Sequence, residues 1–221
     1  MWASRWVEKP EFDKKMMKTV QFKERRIAPS KILCVGRNYS EHIAELGNEV
    51  PDSMVVFFKP NSAISDRLVV GSVEPLHYEA EICYLVEAGE LAGIGVGLDL
   101  TRRTLQSRLK EKGLPWERAK AFDGAAVFGE FVRLPDGDAP VQVKLQIDGR
   151  TAQAGDSRQM IYSPAQVLAE LKTFTSLYDG DVIMTGTPKG VGIVSPGAEF
   201  VATVGTEQSE LVRQSWIAEA Q

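Results

Sequence analysis

The sequence predicts an α+β fold dominated by strands and built on mixed β-sheet. Three observations lead there. Short apolar runs bounded by Gly, Pro and Asp turns outnumber the segments with helical spacing. Strands and helices do not alternate regularly, which argues against a doubly wound parallel sheet. The 221 residues are 43% hydrophobic and 25% charged, a balance that buries a core without disulfide or metal staples.

Residues 1–30 read as an N-terminal extension. They mix Lys and Arg with Glu8, Glu11 and Asp13, lack the apolar core of a signal peptide, and are too acidic for a transit peptide. A short strand is expected around Thr19–Phe22. Lys31–Gly36 reads as a buried strand ending in a glycine turn. Ser40 then caps a short helix through Leu46, stopped at Gly47. Met54–Phe58 is a second buried strand, broken by Lys59-Pro60. Residues 61–73 form a loop with a short apolar strand at Leu68–Val70. Residues 76–86 read as one strand. Glu90–Leu100 is a glycine-spaced apolar run, and glycines inside a strand mark a bulge or a close approach. Thr101–Lys112 has helical spacing and ends at Gly113, ahead of a Trp-bearing segment over 114–122. Phe128–Arg133 and Val141–Ile147 are strands, the second running into a hairpin turn at Asp148-Gly149. Ser163–Phe174 is an amphipathic helix opened by Ser-Pro. Strands follow at Asp181–Met184 and Phe200–Val204. The polar tail 205–221 reads as helical or frayed. One domain over 31–204 is therefore expected between an extension and a tail.

Chemistry concentrates on His77-Tyr78-Glu79-Ala80-Glu81. Side chains alternate faces in a strand, so Tyr78, Ala80, Ile82, Tyr84 and Val86 share an apolar face. His77, Glu79 and Glu81 share the other, which turns apolar at Cys83 and Leu85. A solvated edge and a metal site are both open readings of Glu79 and Glu81. Asp99, a lone acid closing an apolar strand, reads either as a helix cap or as a third oxygen ligand. An oxygen-only set suits a hard cation and disfavours zinc. His77 is expected behind the ligands, orienting one of them or a water. His42 and Glu45 share a helix side, as a surface ion pair or as a water-activating pair. Lys120, among Ala119, Ala121, Trp116 and Phe122, reads as a snorkelling lysine or as a partly buried cation for an anionic substrate oxygen. Thr185–Gly192 lacks the order of a phosphate loop. Its close-approach backbone at Gly186 and the Thr187 hydroxyl suit a small carboxylate.

The ordered set of motifs resembles the fumarylacetoacetate hydrolase family, and within it the short acylpyruvase and oxaloacetate decarboxylase-like members. The matching pieces are Val35-Gly36-Arg37-Asn38-Tyr39 with His42 and Glu45, Phe58-Lys59-Pro60, and His77-Tyr78-Glu79-Ala80-Glu81. They continue with Gly97-Leu98-Asp99-Leu100-Thr101, with residues 113–123 (Gly-Leu-Pro-Trp-Glu-Arg-Ala-Lys-Ala-Phe-Asp), and with Gly180-Asp181-Val182-Ile183-Met184-Thr185-Gly186-Thr187-Pro188. The resemblance covers roughly residues 31–204. It implies a β-rich roll of the family's C-terminal-domain type, a homodimer, and Mg²⁺ or Mn²⁺ held by Glu79, Glu81 and Asp99. It implies that His42 and Glu45 activate water from a lid helix, that Lys120 and Thr187 contact substrate, and that Arg37 and Gln106 assist. One departure stands out. The family often has Asp after the arginine that Arg103 matches, whereas here Thr104 follows, so a local ion pair is expected to be missing.

The expected activity is Mg²⁺-dependent C–C bond hydrolysis of acylpyruvates such as fumarylpyruvate or acetylpyruvate, with oxaloacetate decarboxylation on the same site. The alternatives are an isomerase or decarboxylase of hydroxymuconate-type diacids and a non-enzymatic metabolite-binding protein. The substrate class is a small dicarboxylate or diketo acid. A formal net charge of −4 argues against nucleic acid as a partner. No apolar run is long enough to span a bilayer. Cys34 and Cys83 lie in apolar runs and read as reduced thiols, which fits a cytoplasmic setting.

Overall fold

A computed structural model describes residues 17–45, 47, 51–71, 74–137 and 139–221. The first sixteen residues of the extension, the expected helix end at Leu46, and residues 48–50 and 72–73 of the two loops lie outside them. The fold is strand-dominated, as expected, with a curled mixed sheet at its centre.

That sheet runs in the order β2 (Arg25–Ile27), β1 (Val20–Phe22), β11 (Ala126–Arg133), β9 (Glu90–Asp99), β8 (Ala80–Glu87), β14 (Val182–Met184), β3 (Lys31–Gly36) and β4 (Val55–Pro60). Strand β5 (Ile64–Ser65) adds to β11. Most neighbours are antiparallel, while β1–β11, β5–β11 and β14–β3 are parallel. A second sheet orders β13 (Arg150–Asp156), β12 (Gln142–Ile147), β16 (Glu199–Gly205) and β17 (Glu210–Ile217). Two small sheets join β10 (Thr101–Arg102), β7 (Leu76–Tyr78) and β15 (Gly192–Ile193), and pair β18 (Glu219–Ala220) with β6 (Val69–Val70). The helices are α1 (Ser40–Glu45), α2 (Arg103–Glu111), α3 (Glu117–Lys120) and α4 (Pro164–Phe174). None is long and apolar enough to cross a membrane.

Strand β8 is the pivot because every residue from Ala80 to Val86 is buried. Its two faces feed two cores. Ala80, Ile82, Tyr84 and Val86 pack with Val143, Leu145, Phe200, Ala202 and Trp216 of the second sheet, forming a sandwich. Cys83 and Leu85 face the other way, into Phe22, Cys34, Phe128, Phe131 and Met184 inside the curl. The glycines of β9 admit rings rather than backbone. A Cβ on Gly95 would lie 2.8 Å from Phe131, and one on Gly97 would lie 2.7 Å from Phe128.

Four expectations change. The run 76–86 is two strands in two sheets, parted at Glu79, although its two-residue alternation continues across the break. Lys59 and Pro60 complete β4 instead of breaking it, because Pro60 sits at the strand's end, where a missing N–H costs little. Thr101 and Arg102 pair with His77 and Leu76, so α2 starts at Arg103 and Asp99 caps nothing. The tail is neither helical nor frayed: β17 pairs with β16 along seven registered positions and buries Val212 and Trp216. Two other local readings hold. Asp148 and Gly149 both take positive φ, at 48° and 75°, as a tight hairpin of this type requires. Ser163 caps α4 and exchanges bonds with Gln166, with Pro164 in the first turn.

Candidate active site

The antiparallel register of β8 and β9 assembles the carboxylates. Glu81 lies opposite Gly97 and Ala80 opposite Leu98. The chain just before β8 therefore brings Glu79 beside Asp99, whose N–H donates to the Glu79 carbonyl at 2.9 Å. Glu79, Glu81 and Asp99 are all buried, and one oxygen of each lies within 4.8 Å of the others. The solvated-edge reading is thereby excluded.

Cations surround them unequally. Lys120, buried at the end of α3, donates to Glu79 Oε2 at 2.9 Å, Asp99 Oδ2 at 2.8 Å and Thr101 Oγ1 at 2.6 Å. Lys59 is fully buried, pairs with Asp99 Oδ1 at 2.8 Å and donates to the Lys120 carbonyl. Arg103 pairs with Glu79 Oε1 and donates to Gln106 Oε1 at 2.8 Å. Glu81 has no basic partner among the described residues; it accepts the Gly186 N–H at 2.7 Å.

The electrostatics follow from this inequality. Burial acts to raise the Glu79 carboxyl, but Lys120 and Arg103 outweigh it and hold it well below the usual range. Burial pushes Glu81 well above that range, and Asp99 and Glu79 add to the push. Burial works against the Lys120 ammonium, yet Asp99 and Glu79 leave its pKa above that of an ordinary lysine.

A cavity opens over these groups at the mouth of the curl. Arg37, His42, Arg103, Gln106, Lys110, Lys120, Gly186 and Thr187 line it, with Phe57 and Trp116 as an apolar wall. Phe57 lies 6.0 Å from Trp116 and 5.1 Å from the Lys120 ammonium. His42 is buried, and its Nδ1 stands 3.2 Å from Glu45 Oε2; Glu45 also accepts the Gly190 N–H. Gly186 and Thr187 reach the cavity with their polar groups engaged. The Gly186 N–H holds Glu81, and the Thr187 hydroxyl donates to the Ala80 carbonyl at 2.9 Å and accepts from Gln153 at 2.8 Å. Both tie the 185–188 loop to β8. A Cβ on Gly186, at φ 97°, would come within 2.9 Å of Asn38. His77 stands outside the cavity lining, in β7. Its Nδ1 is buried without a hydrogen-bond partner among the described residues.

Sequence reasoning missed Lys59, Lys110 and the wall residues Phe57 and Trp116 as parts of the site. It expected a local ion pair of Arg103 with the following residue to be missing; the partner of Arg103 is Glu79, twenty-four residues away. The signal for Arg103 and Lys110 was the helical spacing Arg103, Gln106, Lys110. Lys59 gave no local signal, because its partner comes from another strand.

The comparisons agree with this geometry. Residues 31–214 match the family model described as fumarylacetoacetate (FAA) hydrolase C-terminal. Oxaloacetate tautomerase YcgM of Escherichia coli (strain K12) is 35% identical over 192 residues, spanning 79% of this chain and 88% of that protein. Mitochondrial oxaloacetate tautomerase FAHD1 of Homo sapiens is 35% identical over 193 residues, 78% of this chain and 86% of that one. A fumarylpyruvate hydrolase from Pseudomonas aeruginosa, solved in complex with Mn²⁺ and pyruvate, superposes with a TM-score of 0.84 at 29% identity. It covers 93% of this chain and 97% of its own. With the family model matching most of its length and relatives 35% identical over nearly four-fifths of it, the chain belongs to the fumarylacetoacetate hydrolase family.

Proposed function

We propose that this chain binds a divalent cation and a short 2-keto dicarboxylate, and interconverts the keto and enol forms of oxaloacetate. The observation that carries the reading is the buried cluster of Glu79, Glu81 and Asp99 with the Lys120 ammonium against two of them. The donors are all oxygen, which fits Mg²⁺ or Mn²⁺. Glu81 also needs a positive charge: buried beside two like charges, it is held back from ionising, and a cation among the three carboxylates reverses that. When bound, the cation supplies Lewis-acid stabilisation of an enolate oxygen.

The chain's own groups supply the rest. Lys120 remains an ammonium at neutral pH, so its charge stabilises nearby developing negative charge and it takes no proton. The base is His42. Its Nδ1 faces the Glu45 carboxylate; with Glu45 ionised, that nitrogen carries the proton and the basic lone pair lies on Nε2. Removing a proton from the carbon next to the keto group and returning it to oxygen is tautomerisation. Two relatives at 35% identity bear that name, and they move this reaction ahead of hydrolysis.

Acylpyruvate hydrolysis is the second reading. The same His42–Glu45 pair favours it, acting on water instead of carbon, and the Pseudomonas aeruginosa relative is named for that chemistry. The test is a panel of enol-oxaloacetate, fumarylpyruvate and acetylpyruvate, each with and without Mg²⁺. Accelerated loss of enol-oxaloacetate that needs the cation supports the first reading. Cleavage of the acylpyruvates with oxaloacetate untouched replaces it by the second. Under either reading, His42→Ala should lower turnover by roughly 10²–10⁴-fold, the usual worth of a general base.

A further inference from the structure

Lys59 is fully buried in β4 and stands outside the cavity lining, so it does not face the space a substrate would fill. Its ammonium has two partners from different elements. It lies 2.8 Å from Asp99 Oδ1, as an ion pair without hydrogen-bond alignment. It also donates to the Lys120 carbonyl at the end of α3. The Lys120 ammonium returns to Asp99 on the other oxygen, Oδ2, at 2.8 Å. A closed ring results: both oxygens of one carboxylate are held by two ammonium groups that are themselves tied together. Burying an ammonium is costly, and neutralising Asp99 does not require it, because Lys120 already pairs with that group.

Glu79 is bracketed in the same way, with Arg103 on Oε1 and Lys120 on Oε2 at 2.9 Å. Glu81 accepts the Gly186 N–H on Oε2. A carboxylate oxygen has more than one lone pair, so each bracketed oxygen still has one to give. The brackets resist a cation that takes both oxygens of Glu79 or of Asp99 together. Such a cation would meet two positive groups at once, and the held carboxylate is not free to turn toward it. Magnesium accepts single oxygens: it takes about six at roughly 2.1 Å in near-ideal octahedral order and keeps several waters. Calcium takes about six to eight at roughly 2.4 Å and draws on bidentate carboxylates in a flexible shell.

We infer that Lys59, together with Arg103, determines the metal specificity of the site, by keeping Asp99 and Glu79 to one oxygen each and so selecting a small octahedral cation over Ca²⁺. The inference rests on reading the three carboxylates as a divalent-cation site, and it adds what sets the choice of ion.

Mg²⁺ and Ca²⁺ carry the same charge, so the ratio of their affinities cancels the general effect of losing a basic residue. Each is titrated calorimetrically into the wild type, Lys59→Met and Arg103→Met, without substrate. The wild type is expected to prefer Mg²⁺. Lys59→Met frees Asp99 Oδ1 and should narrow that preference about tenfold, the size of one charge-assisted contact. Arg103 is only half-buried at the start of α2, so Arg103→Met tests the Glu79 bracket even where Lys59→Met does not fold. It should narrow the preference to a similar degree. A lysine that merely props the end of α3 predicts instead that both affinities fall together. That result, an unchanged ratio in either folded variant, or a wild type that holds Ca²⁺ as tightly as Mg²⁺ overturns the inference and leaves the metal site in place. Binding of neither ion removes the metal reading itself, and the inference falls with it.

Discussion

Three carboxylates share buried space here because cations share it with them, and the sharing is uneven. Among the described residues, Glu79 has Lys120 and Arg103; Asp99 has Lys120 and Lys59; Glu81 has one backbone N–H. Glu81 is thus the group whose ionisation waits for a metal. Its pKa is raised, so in the metal-free protein it holds a proton to higher pH than an ordinary glutamate, and cation and proton compete for it. Binding of Mn²⁺ should release a proton, and the affinity should weaken as pH falls. Calorimetry in two buffers of different ionisation enthalpy measures the release directly. Glu81→Gln should abolish it, and a wild type that releases none would show Glu81 already ionised. Glu79, Glu81 and Asp99 were legible in the sequence because acids at strand spacing amid apolar residues are conspicuous. Lys59 and Arg103 were not. A lysine before proline and an arginine at a helix start look solvated, and only strand pairing reveals their partners on Asp99 and Glu79.

At the level of elements, the site depends on β9 running straight past two aromatic rings. Gly95 and Gly97 give Phe131 and Phe128 their places, and Gly97 also sits opposite Glu81. A methyl group at position 97 would meet the Phe128 ring at 2.7 Å and the Cys83 sulfur at 3.0 Å. Gly97→Ala should therefore destabilise the protein by about 1–3 kcal/mol, the usual cost of overpacking a filled core. Adding Phe128→Leu should return part of that loss, because the two substitutions share one contact. Urea unfolding of the single and double variants measures it; additive losses would place the strain elsewhere. Local patterns foretold the strands, the Asp148-Gly149 hairpin and the capped helix, since each is set by residues close in sequence. The break at Glu79 was hidden because alternation continues through it while the chain changes sheets. The strand in the tail was hidden for a related reason. Val212 and Trp216 are buried in the core, but the adjacent Leu211 packs partly against it too and Ile217 is exposed, which blurs the alternation.

Across the whole molecule, the charges stand at a boundary between two media. Below them lies the apolar filling of the curl, with Cys34, Cys83 and Phe128; above them lies the cavity mouth with Arg37 and Lys110. Over an apolar floor each charge interacts more strongly than it would in water. Glu79, Glu81 and Asp99 are matched in number by Lys59, Arg103 and Lys120, so the side chains balance once Glu81 gives up its proton to a metal. A divalent cation then leaves a surplus of two positive charges, which a dianionic keto acid neutralises. Strand-rich composition made the fold class legible, but the insertion of β14 between β8 and β3, across about a hundred residues or more, was not, because no local pattern encodes it. This balance has a measurable consequence. A ligand that binds only the folded protein stabilises it by RT ln(1 + [L]/Kd), about 2.7 kcal/mol at a hundredfold excess over Kd. For a chain of this size that is a rise in melting temperature of roughly 5–10 °C. Scanning calorimetry should show this rise with Mn²⁺, its reversal by a chelator, and its loss in Glu81→Gln. A dicarboxylate added without the cation should raise the midpoint far less than one added with it. Equal shifts in the two conditions would mean that the basic residues alone hold the anion and that the carboxylates serve only to balance them.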